Sequence, residues 1–183
     1  MKNEISHVEI TKTGCMIFEH PIFTDSRGFF MEVFRQEKFL IWEFPQVNLS
    51  FSRSNVVRGM HFQKKNPQAK LIHVISGHVV DCVIDLRKQS ETFSQMEVFD
   101  LKPGTSVVVP EGFAHGFGTK MPSYFLYMCS EYYDPDSDAG LSPLDPKYDF
   151  PWKRWYDLVI SDKDRKLPPF DTESDYFSED GLC

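Results

Sequence analysis

The chain has no Cys-x-x-Cys pair, no two histidines one residue apart, no Gly-x-Ser-x-Gly elbow and no glycine-rich phosphate loop. Each absence removes a class of chemistry. Zinc ribbons and dithiol redox sites need the first. A metal held inside a small β-domain favours the second, because neighbouring inward side chains on one strand converge on one ion. Serine hydrolysis needs the third, and backbone capture of a nucleotide phosphate needs the fourth. The four cysteines, Cys15, Cys82, Cys129 and Cys183, fall at no metal-binding spacing and read as reduced thiols in a cytoplasmic protein. No apolar run is long enough to span a membrane, and MKNEISHVEI lacks a basic start followed by an apolar stretch. Neither a membrane span nor a signal peptide is expected. Positive charge is scarce, with 20 Lys and Arg against 27 Asp and Glu for a net charge of −7. That argues against a general nucleic-acid binder, while leaving room for a local basic pocket for one small phosphorylated ligand.

What is present is a β-pattern. The 183 residues are 41% hydrophobic and include 17 Phe, enough for one domain with a real core. KLIHVISGHVVDCVIDLR (70–87) reads as a strand, a tight turn at Ser76-Gly77-His78 and a second strand. On that second strand Val79, Asp81, Val83 and Asp85 share one face, which should meet water or a pocket. Val80, Cys82, Ile84 and Leu86 share the other, which should meet a core. TSVVV (105–109), stopped by Pro110-Glu111-Gly112, and YFLYMCS (124–130) are further strands. Helix signals are thin: EKFLIWEF (37–44) could form one short helix, and Trp152 to Lys166 one or two turns. Many short strands at regular spacing predict an all-β sandwich or barrel over residues 1–170. The acidic segment 171–183 is expected to be a loose extension or a strap over the surface.

Polar residues cluster at Arg58-Gly-Met-His61, at Lys70, around His115, at Tyr127 with Tyr132-Tyr133, and in ISDKD (160–164). Taken singly, each has an ordinary explanation. His61 could be a satisfied histidine, Lys70 a strand-edge charge, His115 a turn residue, Tyr127 a core aromatic, and Asp81 and Asp164 solvated charges. Their arrival together in one small β-domain favours acid–base chemistry.

These motifs also fall in a known order. DSRGFFMEVF (25–34), QVNLSFS (46–52), RGMHFQ (58–63), QAKL (68–71), VVDCVIDLRKQSETF (79–93), VVPEGFAHGF (108–117), FLYMCSEYYDP (125–135), LDP (144–146) and SDKD (161–164) together resemble the dTDP-4-dehydrorhamnose 3,5-epimerase family. The likeness runs from about Ile10 to Pro169. It implies a cupin-like double-sheet jelly roll with a few short helices, a homodimer, no metal or other cofactor, and a nucleotide-linked 4-keto-6-deoxyhexose as substrate, with dTDP as the carrier.

By the same resemblance His61 is the base, Asp164 its carboxylate partner (Asp162 if the register slips), Lys70 the cation beside the keto oxygen, and Tyr127 the phenol returning a proton from the opposite face. Arg58 and His115 would line the sugar and diphosphate, Gln46 and Asn48 would hydrogen-bond the ligand, and Asp81 would be an acidic pocket residue. Arg27 and Glu32 would reach the nucleotide across the dimer, and Tyr133 or Tyr132 would stack on the base. Two stretches depart from the pattern: SFSRSNVV, where lysine is commoner, and LSPLDPKYDFPW, where Ser142-Pro143 replace a tryptophan.

Three other readings compete with a double epimerase. One is an enzyme inverting only C3 or only C5, or using a GDP- or CDP-linked sugar. Another is a non-catalytic sugar-nucleotide-binding module, which would predict a broken acid–base set. The last is a metal-dependent oxygenase, disfavoured by the missing paired histidines.

Overall fold

A computed structural model describes residues 4–177 of the chain. Its strands run β1 Ser6–Ile10, β2 Met16–Glu19, β3 Ile22–Asp25, β4 Gly28–Met31, β5 Gln46–Ser52, β6 Val56–Gln63 and β7 Lys70–Ser76. They continue as β8 Val79–Asp85, β9 Met96–Leu101, β10 Thr105–Val109, β11 Phe113–Thr119, β12 Ser123–Cys129, β13 Asp138–Gly140 and β14 Val159–Ile160, followed by the single-turn helix α1 Asp162–Arg165. One six-stranded sheet has the order β1-β2-β10-β7-β12-β5. The facing sheet has the order β13-β6-β11-β8-β9, with β14 paired to β6. β3 and β4 pair only with each other, forming a separate two-stranded arm. This is the expected double-sheet all-β architecture.

The turn at Gly77 is not a hairpin within one sheet. β7 belongs to the first sheet and β8 to the second, so the chain crosses between layers there. Gly77 adopts φ +95° with Ser123 pressed against it, where an added Cβ would meet the Ser123 Oγ at 2.2 Å. Only glycine combines that left-handed backbone with so little room.

Alternation along each strand then fills three layers. Ile72, Val74, Val107, Val109 and Phe125 of the first sheet meet Val79, Val83, Phe113 and Phe117 of the second between the sheets. The outer face of the second sheet carries Cys82, Ile84 and Leu86, covered by Tyr148, Phe150, Trp152, Ile160 and Tyr176 from the C-terminal third. The outer face of the first sheet carries Leu71 and Val108, covered by Phe34, Phe39, Trp42 and Phe44.

This corrects the reading of β8. The apolar face meets a core, but the core lies outside the sandwich. The Asp-bearing face points between the sheets, where Asp81 and Asp85 are both fully buried. The expected helix over 37–44 shrinks to a 3-10 turn at Gln36–Lys38, because Phe39, Trp42 and Phe44 anchor separately onto the sheet rather than lining one helical stripe. Trp152 to Lys166 holds a 3-10 turn at Pro151–Arg154 and α1. Past Pro169, Phe170, Tyr176 and Phe177 lie against the second sheet's outer core, with Tyr176 edge-on to Phe62 at 5.7 Å. The rest of the acidic segment, 178–183, with Cys183, lies outside the described residues.

Candidate active site

Between the sheets, near the end where β7 and β12 lie beside the edge strand β5, a cavity of about 660 Å³ opens beside a second lobe of about 320 Å³. His61, Lys70 and Tyr127 line both lobes. Three different strands deliver them. His61 is on β6 of one sheet, while Lys70 and Tyr127 come from β7 and β12 of the other.

His61 is paired. Its Nε2–H donates to Asp164 Oδ1 at 2.8 Å, since an ionised carboxylate only accepts. The lone pair is left on Nδ1. Asp164 is held from three sides. The Ser161 hydroxyl accepts from its backbone N–H at 3.0 Å, capping α1. The Gly59 N–H donates to its Oδ2 at 3.3 Å. Its side chain is 5% exposed, against 33% for His61. Burial by itself would raise the Asp164 pKa, but the His61 bond and charge, with Gly59 and Ser161, outweigh it and hold the carboxyl below its ordinary range. Gly59 is also pressed against the neighbouring strand. At φ +125° it lies so close to β11 that an added Cβ would meet Gly116 Cα at 2.5 Å.

A second imidazole–carboxylate pair sits one strand over. His115 faces His61 in the β11–β6 register, and its Nε2 bonds to Asp81 Oδ2 at 2.7 Å. His115 lines the larger lobe. Asp81 does not reach the cavity. It is 0% exposed and lies behind His115, and its Oδ1 finds no hydrogen-bond partner among the described residues. Burial raises its pKa against the opposing pull of His115 and Lys70. Expected as an acidic pocket residue, Asp81 stands behind the cavity wall and meets the cavity only through its bond to His115.

Lys70 opens β7 opposite Cys129. Its ammonium makes no hydrogen bond or ion pair among the described residues, and burial lowers its pKa against the fields of Cys129, Asp81 and Asp138. A half-buried cation without a partner is suited to an incoming anion. Tyr127 is half-buried as well, and burial raises its phenol, so it stays protonated and able to donate.

Of the expected binding residues, Arg58 lines the larger lobe, braced by Ser52 Oγ at 3.0 Å and the Phe51 carbonyl at 3.1 Å. Gln46 and Asn48 line the smaller lobe, joined at 3.1 Å, because β5 turns alternate residues inward. Tyr133 lines that lobe, held by Gln46 Oε1 at its backbone N–H, whereas Tyr132 lines neither. Arg27 and Glu32 do not join the site within one chain. Arg27 pairs with Asp25 on the exposed arm, and Glu32 pairs with Arg35 at 2.6 Å. Among the described residues no three His, Cys, Asp or Glu side chains group as ion ligands.

Residue-by-residue reading missed Arg53, Ser50 and Lys163, which also line the larger lobe, and Asp138, which lines the smaller one and pairs with Lys163. Lys163 stands inside the SDKD motif and Ser50 two residues from Asn48, so strand alternation could have found Ser50.

Comparison with known proteins adds a family to this geometry. The family model described as dTDP-4-dehydrorhamnose 3,5-epimerase matches residues 9–172. The chain is similar to the dTDP-4-dehydrorhamnose 3,5-epimerase of Methanothermobacter thermautotrophicus, 39% identical over 175 residues, 91% of this chain and 95% of that protein. Among solved structures it resembles the dTDP-4-dehydrorhamnose 3,5-epimerase from Bacillus anthracis with TDP and PPi bound, at TM-score 0.85 and 36% identity, over 91% of this chain and 99% of that one. It also resembles the dTDP-6-deoxy-D-glucose-3,5-epimerase from Legionella pneumophila in complex with dTDP-4-keto-L-rhamnose, at TM-score 0.82 and 32% identity, over 92% of this chain and 100% of that one.

Proposed function

This chain belongs to the dTDP-4-dehydrorhamnose 3,5-epimerase family, and on that premise we propose that it inverts C3 and C5 of dTDP-4-dehydro-6-deoxy-D-glucose to give dTDP-4-dehydro-L-rhamnose. The observation that carries the mechanism is the placement of an imidazole of one sheet, backed by a carboxylate from α1, opposite a cation and a phenol of the facing sheet, around one cavity.

A C–H bond next to the C4 ketone is weakly acidic, and breaking it moves charge onto the ketone oxygen. Nδ1 of His61 takes the proton, while Asp164 fixes the tautomer and stabilises the resulting imidazolium. Lys70 offsets the charge on the enolate oxygen. The Tyr127 hydroxyl returns a proton to the opposite face, which inverts the carbon. Once the His61 imidazolium has released its proton to water and the Tyr127 phenolate has regained one, the same sequence at the second carbon completes the reaction.

Arg58 and His115 hold the sugar and diphosphate, the arginine through its planar fork. Gln46 and Asn48 hydrogen-bond the ligand, and Tyr133 stacks on the base. The protein works as a homodimer in which the β3–β4 arm of one copy carries Arg27 and Glu32 to the nucleotide of the other. The arm's exposed Phe23 and Phe30, paired across it with ring centroids 6.4 Å apart, support this, since an exposed apolar patch marks an interaction surface. We assign the reaction to the cytoplasm. No helix among the described residues is long and apolar enough to cross a membrane.

Incubation with the dTDP-linked keto-sugar in deuterated water tests the reaction. Deuterium at both C3 and C5 of the product is expected. Label at one position only would make the protein a mono-epimerase, and faster turnover of a GDP- or CDP-linked sugar would move the carrier.

A further inference from the structure

Among the described residues the β3–β4 arm pairs with no other strand, so its angle to the domain is set at its root. His20 sits there, between β2 and β3, 5% exposed and outside both lobes of the cavity. Its Nδ1 meets the Glu32 carbonyl, just past β4, at 2.9 Å, and its Nε2 meets Ser106 Oγ on β10 at 2.7 Å. A carbonyl only accepts, so Nδ1 carries the hydrogen and the Ser106 hydroxyl donates to Nε2. The backbone N–H of His20 donates to Gly104 O at 2.9 Å. One side chain therefore joins the two ends of the arm to each other and to the first sheet.

The ring is wedged in place. His73, opposite Ser106 in the β10–β7 register, packs against its edge with centroids 4.9 Å apart. Burial keeps both imidazoles neutral, lowering His20 and taking His73 to about 3, so the bonding pattern holds through the neutral range.

We propose that His20 is a positioning residue for nucleotide binding: it closes the root of the arm and sets the angle at which Arg27 is presented to the neighbouring copy. This rests on the reading that the arm reaches the nucleotide, and the test separates the two. kcat and KM for the dTDP-linked keto-sugar are measured on the full chain and on Arg27→Ala, His20→Ala and His20→Asn.

Arg27→Ala raises KM if the arm reaches the nucleotide. His20→Ala is then expected to raise KM roughly tenfold with kcat within about twofold, because a lost buried hydrogen bond loosens the arm without touching the reacting carbons. His20→Asn, whose amide can still donate to the Glu32 carbonyl, restores most of the loss. An unchanged KM in His20→Ala beside a raised KM in Arg27→Ala overturns the inference alone. An unchanged KM in Arg27→Ala overturns the reading of the arm and the inference with it. A parallel fall of kcat without rescue by asparagine makes His20 a fold residue and also overturns the inference. Should His20→Ala fail to fold, Ser106→Ala carries the test, with a rise of about threefold expected from one lost hydrogen bond and an unchanged KM overturning the inference.

Discussion

Two imidazole–carboxylate pairs lie side by side across β6 and β11, at nearly the same separation and in opposite electrostatic conditions. His61–Asp164 spans 2.8 Å and His115–Asp81 spans 2.7 Å. The first imidazole is one-third exposed to the cavity and backed by a carboxylate held low. The second imidazole is only 8% exposed on the cavity wall, and the carboxylate behind it is fully buried and pushed up. The same two functional groups thus yield a proton acceptor open to ligand in one place and a braced wall in the other. What separates them is access and the count of donors around the acid: Asp164 has three neighbours helping it ionise, while Asp81 keeps an oxygen with no partner among the described residues.

The largest way to break the comparison is to delete each imidazole. His61→Ala should lower deuterium incorporation by about 10³–10⁴-fold, the upper range for a general base. His115→Ala should raise KM more than it lowers exchange. Comparable losses of exchange in both variants would erase the distinction between base and wall.

Next comes the seam the pairs share. Gly59 donates to Asp164 and presses on Gly116, the neighbour of His115. Gly59→Ala should destabilise the fold by about 2 kcal/mol or more through overpacking and a disallowed φ, and should lower exchange in whatever protein folds. Thermal unfolding and the exchange assay read the two effects separately.

Lys70→Ala and Tyr127→Phe sharpen the contrast between the two walls. Loss of Lys70 should slow proton exchange by about 10²–10³-fold, because charge stabilisation acts as the enolate forms. Loss of the Tyr127 hydroxyl should reduce completed inversion more than exchange, since the first proton can still leave. Equal effects on exchange and inversion in both variants would remove the separate roles.

The smallest effect is a pair of opposite pH slopes. Asp164 is depressed in the fold, so its contribution to stability is present above its unfolded pKa and is lost as pH falls through the folded value. Asp81 is raised, so its contribution is full below the unfolded value and is lost as pH rises toward the folded one. As pH rises, the Tm of Asp164→Asn should drop relative to the parent, across a window below the usual aspartate value. The Tm of Asp81→Asn should gain on the parent across a window above it. Slopes of the same sign would contradict the assigned environments.

Strand alternation and turn chemistry made much of this legible in advance. Lys70 opens a strand as expected, and Gly77 ends it. The side of the sandwich that Asp81 faces was not legible, because both faces of β8 are buried and only the C-terminal segment, arriving from far along the chain, decides which one is outside. The partnership of His61 with Asp164 spans 103 residues, and no local pattern encodes such a contact; family likeness alone suggested it. Arg27 and Glu32 show the converse, since a motif can mark residues that their own chain never brings to the cavity. The aromatic run near Trp42 misled because a helical spacing and a row of separate anchors on a sheet use the same residues.

The cavity's division into two lobes has a consequence for selectivity. His61, Lys70 and Tyr127 line both lobes, so on the proposed mechanism the reacting ring lies where the lobes meet and the rest of the molecule extends into the space on either side. On the proposed mechanism a free sugar, with no nucleotide to occupy the neighbouring lobe, is expected to be a poor substrate.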